Sequence, residues 1–184
     1  MKELNDITIK QAASGSKKSF KDLYYYYNPF IWKIVYRMSN GDQDNAEQII
    51  QNIFIKVHST LKSFKFNAAF STWLYKIAYN ESMSYLKKWN KSKKKIIEYK
   101  DTISKTRNND QLENKDFVSF VLSKLSPEER FLLVAREVND ISFDQLSEIT
   151  GKSSGSLRVT VHRIKKNIRN EYSYETGNIL QKVI

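Results

Sequence analysis

From Asp6 to about Ser59 apolar residues return every three or four positions, and the pattern breaks at Ser14–Ser16 and again at Ser39–Asp44. That is a helical period, and the small polar residues and Gly41 at the breaks supply helix ends, so three helices are expected. In the third, "NAEQIIQNIFIKVHSTL", Ile49, Ile50, Ile53, Val57 and Leu61 make one buried stripe. They leave Glu47, Gln51, Asn52, Ile55 and Lys56 elsewhere on the cylinder. Tyr24–Tyr27 is a run of tyrosines; successive helical residues point about 100° apart, so the run divides between packing and interfacial rings. The segment "FNAAFSTWLYKIAYN", Phe66 to Asn80, again reads as a helix, with Phe70, Leu74, Ile77 and Ala78 aligned toward a core. Trp73, Lys76, Asn80 and, further on, Lys87 line another side.

Past that helix the pattern fades. "KKWNKSKKK" (Lys87–Lys95) leads into a polar stretch to about Lys115 with little apolar periodicity, which predicts a flexible linker. The last third regains order. Ser126-Pro127-Glu128-Glu129 is a capping box with proline at the first helical position, so the Ser126 hydroxyl and the Glu129 carboxylate each satisfy an amide left unpaired at a helix start. Ser142 and Gln145 repeat the box, Ile141 and Leu146 stand where a hydrophobic staple belongs, and Gly151 sits at the stop. A longer basic helix follows in "SSGSLRVTVHRIKKNIR", where Leu157, Val161, Ile164 and Ile168 form the apolar stripe. A short helix, a glycine-containing turn and a longer basic helix outline a helix-turn-helix.

Composition agrees with an all-α fold. A hydrophobic fraction of 40% and an aromatic fraction of 13% suit a packed chain, while 5 Gly and 2 Pro leave few tight turns for a sandwich or barrel. With 184 residues the chain makes one ordinary domain or two small ones. The formal net charge of +11 points to a polyanionic partner, nucleic acid first and an anionic membrane surface second. The chain has no cysteine, which excludes disulfides and thiolate chemistry. No signal-peptide core and no membrane-spanning apolar run is present, so a cytoplasmic protein without membrane insertion is expected. His58 and His162 fall in different predicted domains, with no metal-ligand spacing and no glycine-rich phosphate loop nearby. An enzyme is not expected, nor is a metal or cofactor.

The strip Trp73, Lys76, Asn80 and Lys87 presents a ring, a cation, a bidentate amide and another cation in order. Unpaired bases ask for this: rings stack and cations track the phosphates. Upstream, Phe64, Lys65, Phe66 and Asn67 form a loop able to receive a base drawn from the stack. In the last helix Ser154, Ser156, Arg158, Val159, His162, Arg163 and Lys165 occupy faces away from the stripe. Small residues at a helix N-terminus let backbone and base edges approach closely, and an arginine on guanine is the commonest specific major-groove contact.

"AEQIIQNIFIKV", "FKFNAAFSTWLYKIAYN" and "LSPEERFLLVAREVNDISFDQLSEITGKSSGSLRVTVHRIKK" resemble, in order and spacing, regions 2 and 4 of extracytoplasmic-function (ECF) sigma factors of the sigma-70 family. The resemblance implies two small helical domains joined by a flexible linker: region 2 over 1–92, the linker over 93–115, and a region 4 helix-turn-helix with a C-terminal tail over 116–184. It implies a subunit that directs core RNA polymerase to promoters and stabilises their melting. Glu47, Gln51, Asn52, Ile55 and Lys56 then face the beta-prime clamp helices, and region 4 meets the beta flap. The loop Phe64, Lys65, Phe66, Asn67, Ala68, Ala69, with Asn80 and the strip beside it, captures flipped minus-ten bases. Arg158, Val159, His162, Arg163 and Lys165 line the minus-thirty-five major groove, with Arg136 and Lys152 on phosphates. Gln48 and Asn52 stand where many relatives carry acids, and Ser84 where an acid is common. An anti-sigma factor is a further implied partner. The rival readings are a stand-alone helix-turn-helix regulator that never meets polymerase, and a peripheral membrane or RNA-associated protein anchored by Lys87–Lys95.

Overall fold

The computed structural model describes residues 3–101 and 117–172, of which 90–101 and 117 by backbone alone. Helices α1 (Asp6–Ala13), α2 (Lys17–Met38) and α3 (Gln43–Thr60) fall between the breaks expected for them. Their starts are fixed by side-chain caps: Asn5, Ser16 and Asp42 accept from the amides of Ile7, Ser19 and Asn45 at 2.9, 3.2 and 2.9 Å. A tight helical turn, Leu61–Ser63, leads through a loop to α4 (Phe70–Asp101). The backbone of α4 stays helical across 93–101, where the linker was expected to begin, and 102–116 lie outside the described residues. After them come α5 (Phe117–Ser123), α6 (Pro127–Glu137), α7 (Phe143–Thr150) and α8 (Ser154–Tyr172). Among the described residues every element is helical, as an all-α fold requires.

Helices α1 to α4 pack in sequence, each on the next or on α2, around Leu23, Ile31, Ile34, Ile53 and Leu74. The stripe expected on the third helix is buried from Ile49 to Leu61. The tyrosine run divides as helical geometry demands. Tyr27 is fully buried, its hydroxyl donating to Glu3 at 2.9 Å and accepting the Leu4 amide at 3.1 Å, whereas Tyr25 is 63% exposed. The second half closes on Leu157, Val161, Ile164 and Ile168 of α8, packed against α6 and α7. Both capping boxes form, and Gly151 takes the left-handed conformation (φ 76°) that ends α7.

The two halves dock on one another. Helix α6 carries the run "RFLLVA", and each of its residues from Arg130 to Ala135 is buried. A helix apolar on all sides must be covered on all sides, and here α8 covers one flank while α2 and α4 cover the other. Phe131 meets the ring of Tyr79 of α4 at 4.8 Å between centroids. Burying a ring of that kind contributes about 1.5–3 kcal/mol. Asn139 donates from its amide nitrogen to the Phe30 carbonyl of α2 (2.9 Å) and to the Tyr75 hydroxyl of α4 (2.8 Å). Gln145 of α7 reaches Thr72 of α4 at 3.4 Å.

Arg130 is the polar centre of this seam. It is 5% exposed, and its guanidinium donates to the carbonyls of Met38 (2.6 Å), Leu122 (2.8 Å) and Leu125 (3.2 Å). Met38 is the last residue of α2, and Leu122 and Leu125 lie at and just past the end of α5. Helix C-termini leave carbonyls unpaired and carry partial negative charge, so one cation satisfies helix ends from both halves. Removing that donor strands buried acceptors, at roughly 1–3 kcal/mol each before relaxation. Arg130→Met, which keeps much of the volume, is therefore expected to lower unfolding free energy by about 2–4 kcal/mol in urea titration followed by circular dichroism. An unchanged midpoint would show that the seam contributes nothing.

Candidate nucleic-acid interfaces

The loop between Ser63 and Phe70 is held by an aromatic cluster. Phe64 lies 4.6 Å from Phe66, 5.3 Å from Phe70 and 5.4 Å from Trp73, ring centre to ring centre. Phe70 is buried, so the cluster anchors the loop to the core of the first half. Phe66 has φ 57°, a left-handed conformation that costs a bulky residue of order 1–3 kcal/mol. Its ring is exposed at the loop tip, with the Lys10 ammonium of α1 5.1 Å from its centre. Strain of this kind persists where the surroundings over-determine the backbone.

Beside this loop lies a cavity of about 250 Å³. Phe64, Lys65, Asn67, Ala68, Trp73 and Lys76, all expected to take a flipped base, line it. Ser63, Thr72 and Glu148 complete the wall. Phe66, Ala69, Asn80 and Lys87 lie outside the lining, and of these Asn80 and Lys87 are exposed further along α4. Glu148 comes from α7, across the seam, and sets a carboxylate among the cavity's lysines.

The second interface is a basic groove of about 710 Å³ between the end of α6 and the outer face of α8. Arg136, Arg158, His162 and Lys165, the residues expected on duplex DNA, line it together with Phe143 and Arg169. Both Arg136 and Arg158 place their guanidinium carbon over the Phe143 ring, at 5.1 and 4.7 Å. Ser154 fastens the start of α8 to that of α7 by donating to Asp144 at 2.8 Å. Val159 and Ser156 stand exposed on the outer face of α8, Val159 at 69%. Three of the expected contacts carry acidic partners here: Lys152 with Glu128, Arg163 with Glu129 (3.6 Å), and Lys165 with Glu137 (2.8 Å).

A third surface is the outer face of α3. Glu47, Gln51, Ile55 and Lys56 are exposed and Asn52 half-buried. Ile55, 68% exposed, sits among polar side chains, with Gln43 donating to Glu47 (2.9 Å) and Gln48 approaching Asn52 (3.5 Å) nearby. His58 packs edge-on against Phe20 at 5.0 Å. Among the described residues no cluster of histidines and carboxylates could hold a metal ion, and no helix is long and apolar enough to cross a membrane.

Residues that mattered without being singled out are Arg130, Asn139, Glu148 and Phe143. A signal for the first was present: Arg130 opens the all-apolar run of α6, where a lone cation must find buried partners. Glu148 and Phe143 look like ordinary surface-helix residues until the third dimension supplies their neighbours.

Comparison with known proteins agrees with this geometry. Residues 23–92 match Sigma-70 region 2 and residues 119–168 match Sigma-70, region 4. The chain belongs to the sigma-70 family of RNA polymerase sigma factors, as a member of its ECF type. It is 27% identical to the ECF RNA polymerase sigma factor SigW of Bacillus subtilis over 176 residues, covering 89% of this chain and 94% of that protein. It is 25% identical to the ECF RNA polymerase sigma-E factor of Escherichia coli K12, covering 91% and 93%. Among solved structures it superposes on CnrH in complex with the cytosolic domain of CnrY (TM-score 0.68, 16% identity, 92% of this chain and 97% of that one). It also superposes on RpoE in complex with the anti-sigma factor NepR from Bartonella quintana (TM-score 0.67, 19% identity, 86% and 99%). These two likenesses concern the fold.

The seam also leaves a spectroscopic mark. Burial pushes the Tyr75 hydroxyl up to about 12, against the lowering effect of the hydrogen bond from Asn139. A raised folded value means that this tyrosine's contribution is intact below its unfolded value near 10 and is lost as pH climbs toward about 12. Absorbance titration at 295 nm is expected to lose one of its late-ionising tyrosines in Tyr75→Phe, the still later Tyr27 remaining. Titration of Tyr75 with the exposed tyrosines would contradict the docked arrangement.

Proposed function

We propose that residues 1–92 form the unit that binds core polymerase and the minus-ten element, 93–115 the linker, and 116–184 the unit that binds the minus-thirty-five duplex. The observation that carries this reading is the presence in one chain of two unlike nucleic-acid surfaces: a cavity walled by rings and lysines, and an open basic groove. A cavity suits a single extruded base; a groove backed by a recognition helix suits paired DNA. The outer face of α3, with Glu47, Gln51, Asn52, Ile55 and Lys56, supplies the clamp-helix contact, Ile55 being its apolar centre. Asn80 holds a flipped base by its amide, Lys65, Lys76 and Lys87 follow the strand, and the loop from Phe64 to Ala69 encloses the base.

In the groove, Arg158 reads guanine, Val159 offers an apolar contact to a thymine methyl, and Arg136 and Lys152 bind phosphates. His162, Arg163 and Lys165 extend the same face, with Ser154 and Ser156 allowing close approach at the start of α8. Lys152 exchanges its glutamate for phosphate on binding, and Arg163, a second candidate for guanine, and Lys165 leave theirs for the groove. Both elements are reached at once only when the seam opens. A spacer of a turn and a half of duplex spans about 55 Å. Fifteen extended residues over 102–116 cover roughly 50 Å, and the helical turns from 93 to 101 add about 13 Å, so the tether suffices. The protein acts in the cytoplasm, as a binding subunit rather than an enzyme, with core polymerase, promoter DNA and an anti-sigma factor as partners. A stand-alone regulator would use the groove and leave the cavity beside Trp73 without an occupant.

The test is run-off transcription by core polymerase with this protein on a randomised promoter library. Promoter-dependent transcripts are expected, and failure to bind core enzyme at low salt would favour the regulator. Asn80→Ala is expected to impair open-complex formation, read by permanganate reactivity of unpaired thymines, more than duplex binding. Arg158→Ala is expected to relax preference at one or two upstream base pairs by about 1–3 kcal/mol, whereas a uniform loss across sequences would make it a phosphate contact.

A further inference from the structure

Phe143 has no place in the machinery so far. It is the first residue of α7, directly after the Ser142 cap, and it is half-buried. The core face of α7 is filled without it by Leu146 and Ile149. Its ring rests on the edge of the core and also lies under two guanidiniums, from Arg136 at the end of α6 and Arg158 near the start of α8. Both lie within the distance, about 6 Å, at which an aromatic face attracts a cation. Gathering two like charges on one ring is unfavourable by itself. Among the described residues neither arginine has a carboxylate partner, although Lys152, Arg163 and Lys165 of the same unit each have one. Arg136 donates only to the Ile141 carbonyl, at 3.3 Å. Glu137 also lines the groove that both residues face, but it is taken up by Lys165, so among the described residues the pair is left open to an anion entering that groove.

We infer that Phe143 is a specificity-determining positioning residue, its ring being the seat that holds the Arg158 guanidinium in the plane needed to pair with a base edge. The inference rests on the duplex-reading role proposed above for α8. Bidentate pairing with guanine requires the guanidinium to lie along the base-pair plane. An arginine on an open helix face samples many rotamers, all but one of which are lost on pairing. A ring beneath the guanidinium removes most of that freedom beforehand and leaves its N–H edge bare. The seat is itself fixed. Ser142 and Gln145 close the capping box around it at 3.0 and 3.1 Å, and Ser154 of α8 donates to Asp144 at 2.8 Å, with the Phe143 carbonyl at 3.4 Å. Ring and reader thus belong to two helices tied together at their starts. What is needed at 143 is an aromatic face, not apolar volume alone, so tyrosine suffices and leucine does not.

Two measurements on the full-length protein separate this inference from the reading beneath it. The first needs no DNA. In the free protein the Arg158 side-chain proton resonances are expected to be shifted upfield by the ring current of Phe143, to return toward ordinary values in Phe143→Leu, and to keep their shift in Phe143→Tyr. Ordinary shifts in the wild type would remove the seat, whatever α8 binds. The second uses duplexes selected by the wild type from a random pool. Phe143→Leu is expected to reduce preference at the base pair that Arg158→Ala makes indifferent by about 3- to 10-fold, within the range of cation–π contacts. Preference elsewhere and the thermal midpoint should hold, Phe143→Tyr should restore the loss, and Phe143→Leu should add nothing in an Arg158→Ala background. Equal losses with and without Arg158, or rescue by leucine, would reduce Phe143 to packing. Should the wild type select no duplex while the ring-current shift is present, the duplex reading of α8 falls and the specificity role falls with it, the seat remaining as a structural fact.

Discussion

A single guanidinium closes the ends of helices that belong to different halves of the chain. Arg130 gives its donors to α2 at Met38 and to the end of α5 at Leu122 and Leu125. Burial pushes its pKa down to about 10, still far above neutrality, so the side chain is charged in the docked protein. Taking a charge out of water is costly unless its donors are used. Here they are used on carbonyls at helix ends, of which Leu122 also accepts the Leu125 amide. The contact is therefore strong in geometry and modest in net free energy, which leaves room for the seam opening that the proposed function requires.

The same seam explains the crowding on α4. One flank faces its own bundle through Phe70, Leu74 and Ala78; another receives Asn139 at Tyr75, Gln145 at Thr72 and Phe131 at Tyr79. Between them Trp73 and Lys76 border the cavity that Glu148 also lines. A helix that must pack, dock and bind on three flanks cannot be simply amphipathic, and aromatic residues with a polar tip serve such mixed duty well. Burial and the neighbouring Glu128 raise the Tyr79 pKa, keeping that hydroxyl neutral beside the acid.

Elements with a local physical cause were legible in the sequence. Both capping boxes, the glycine stop of α7, the stripes of α3 and α8 and the breaks around Gly15 and Gly41 follow from interactions within a turn or two of chain. The groove was legible for the same reason, because Arg158, His162 and Lys165 share one helix. The cavity was legible in part: loop and strip were expected to act together, but Asn80 and Lys87 stand beyond its wall. Less visible were contacts between residues far apart in sequence, such as Arg130 with Met38 or Glu148 with the cavity's lysines. Periodicity carries no information about which helix meets which. The unbroken α4 backbone through 93–101 was missed because a lysine-rich, weakly periodic stretch satisfies a helix as readily as a linker.

The length of α4 has a consequence for how the second unit finds its site. Thirty-two residues make a rod of about 48 Å, and the cavity sits at its first turns, so the chain leaves α4 at the tip far from the cavity's rim. On the function proposed above, α8 would search for its element around that tip, at an effective concentration set by the reach from it. Inserting or deleting helical residues in this rod would move its tip by only about 1.5 Å per residue while turning the direction in which the chain leaves it by about 100°.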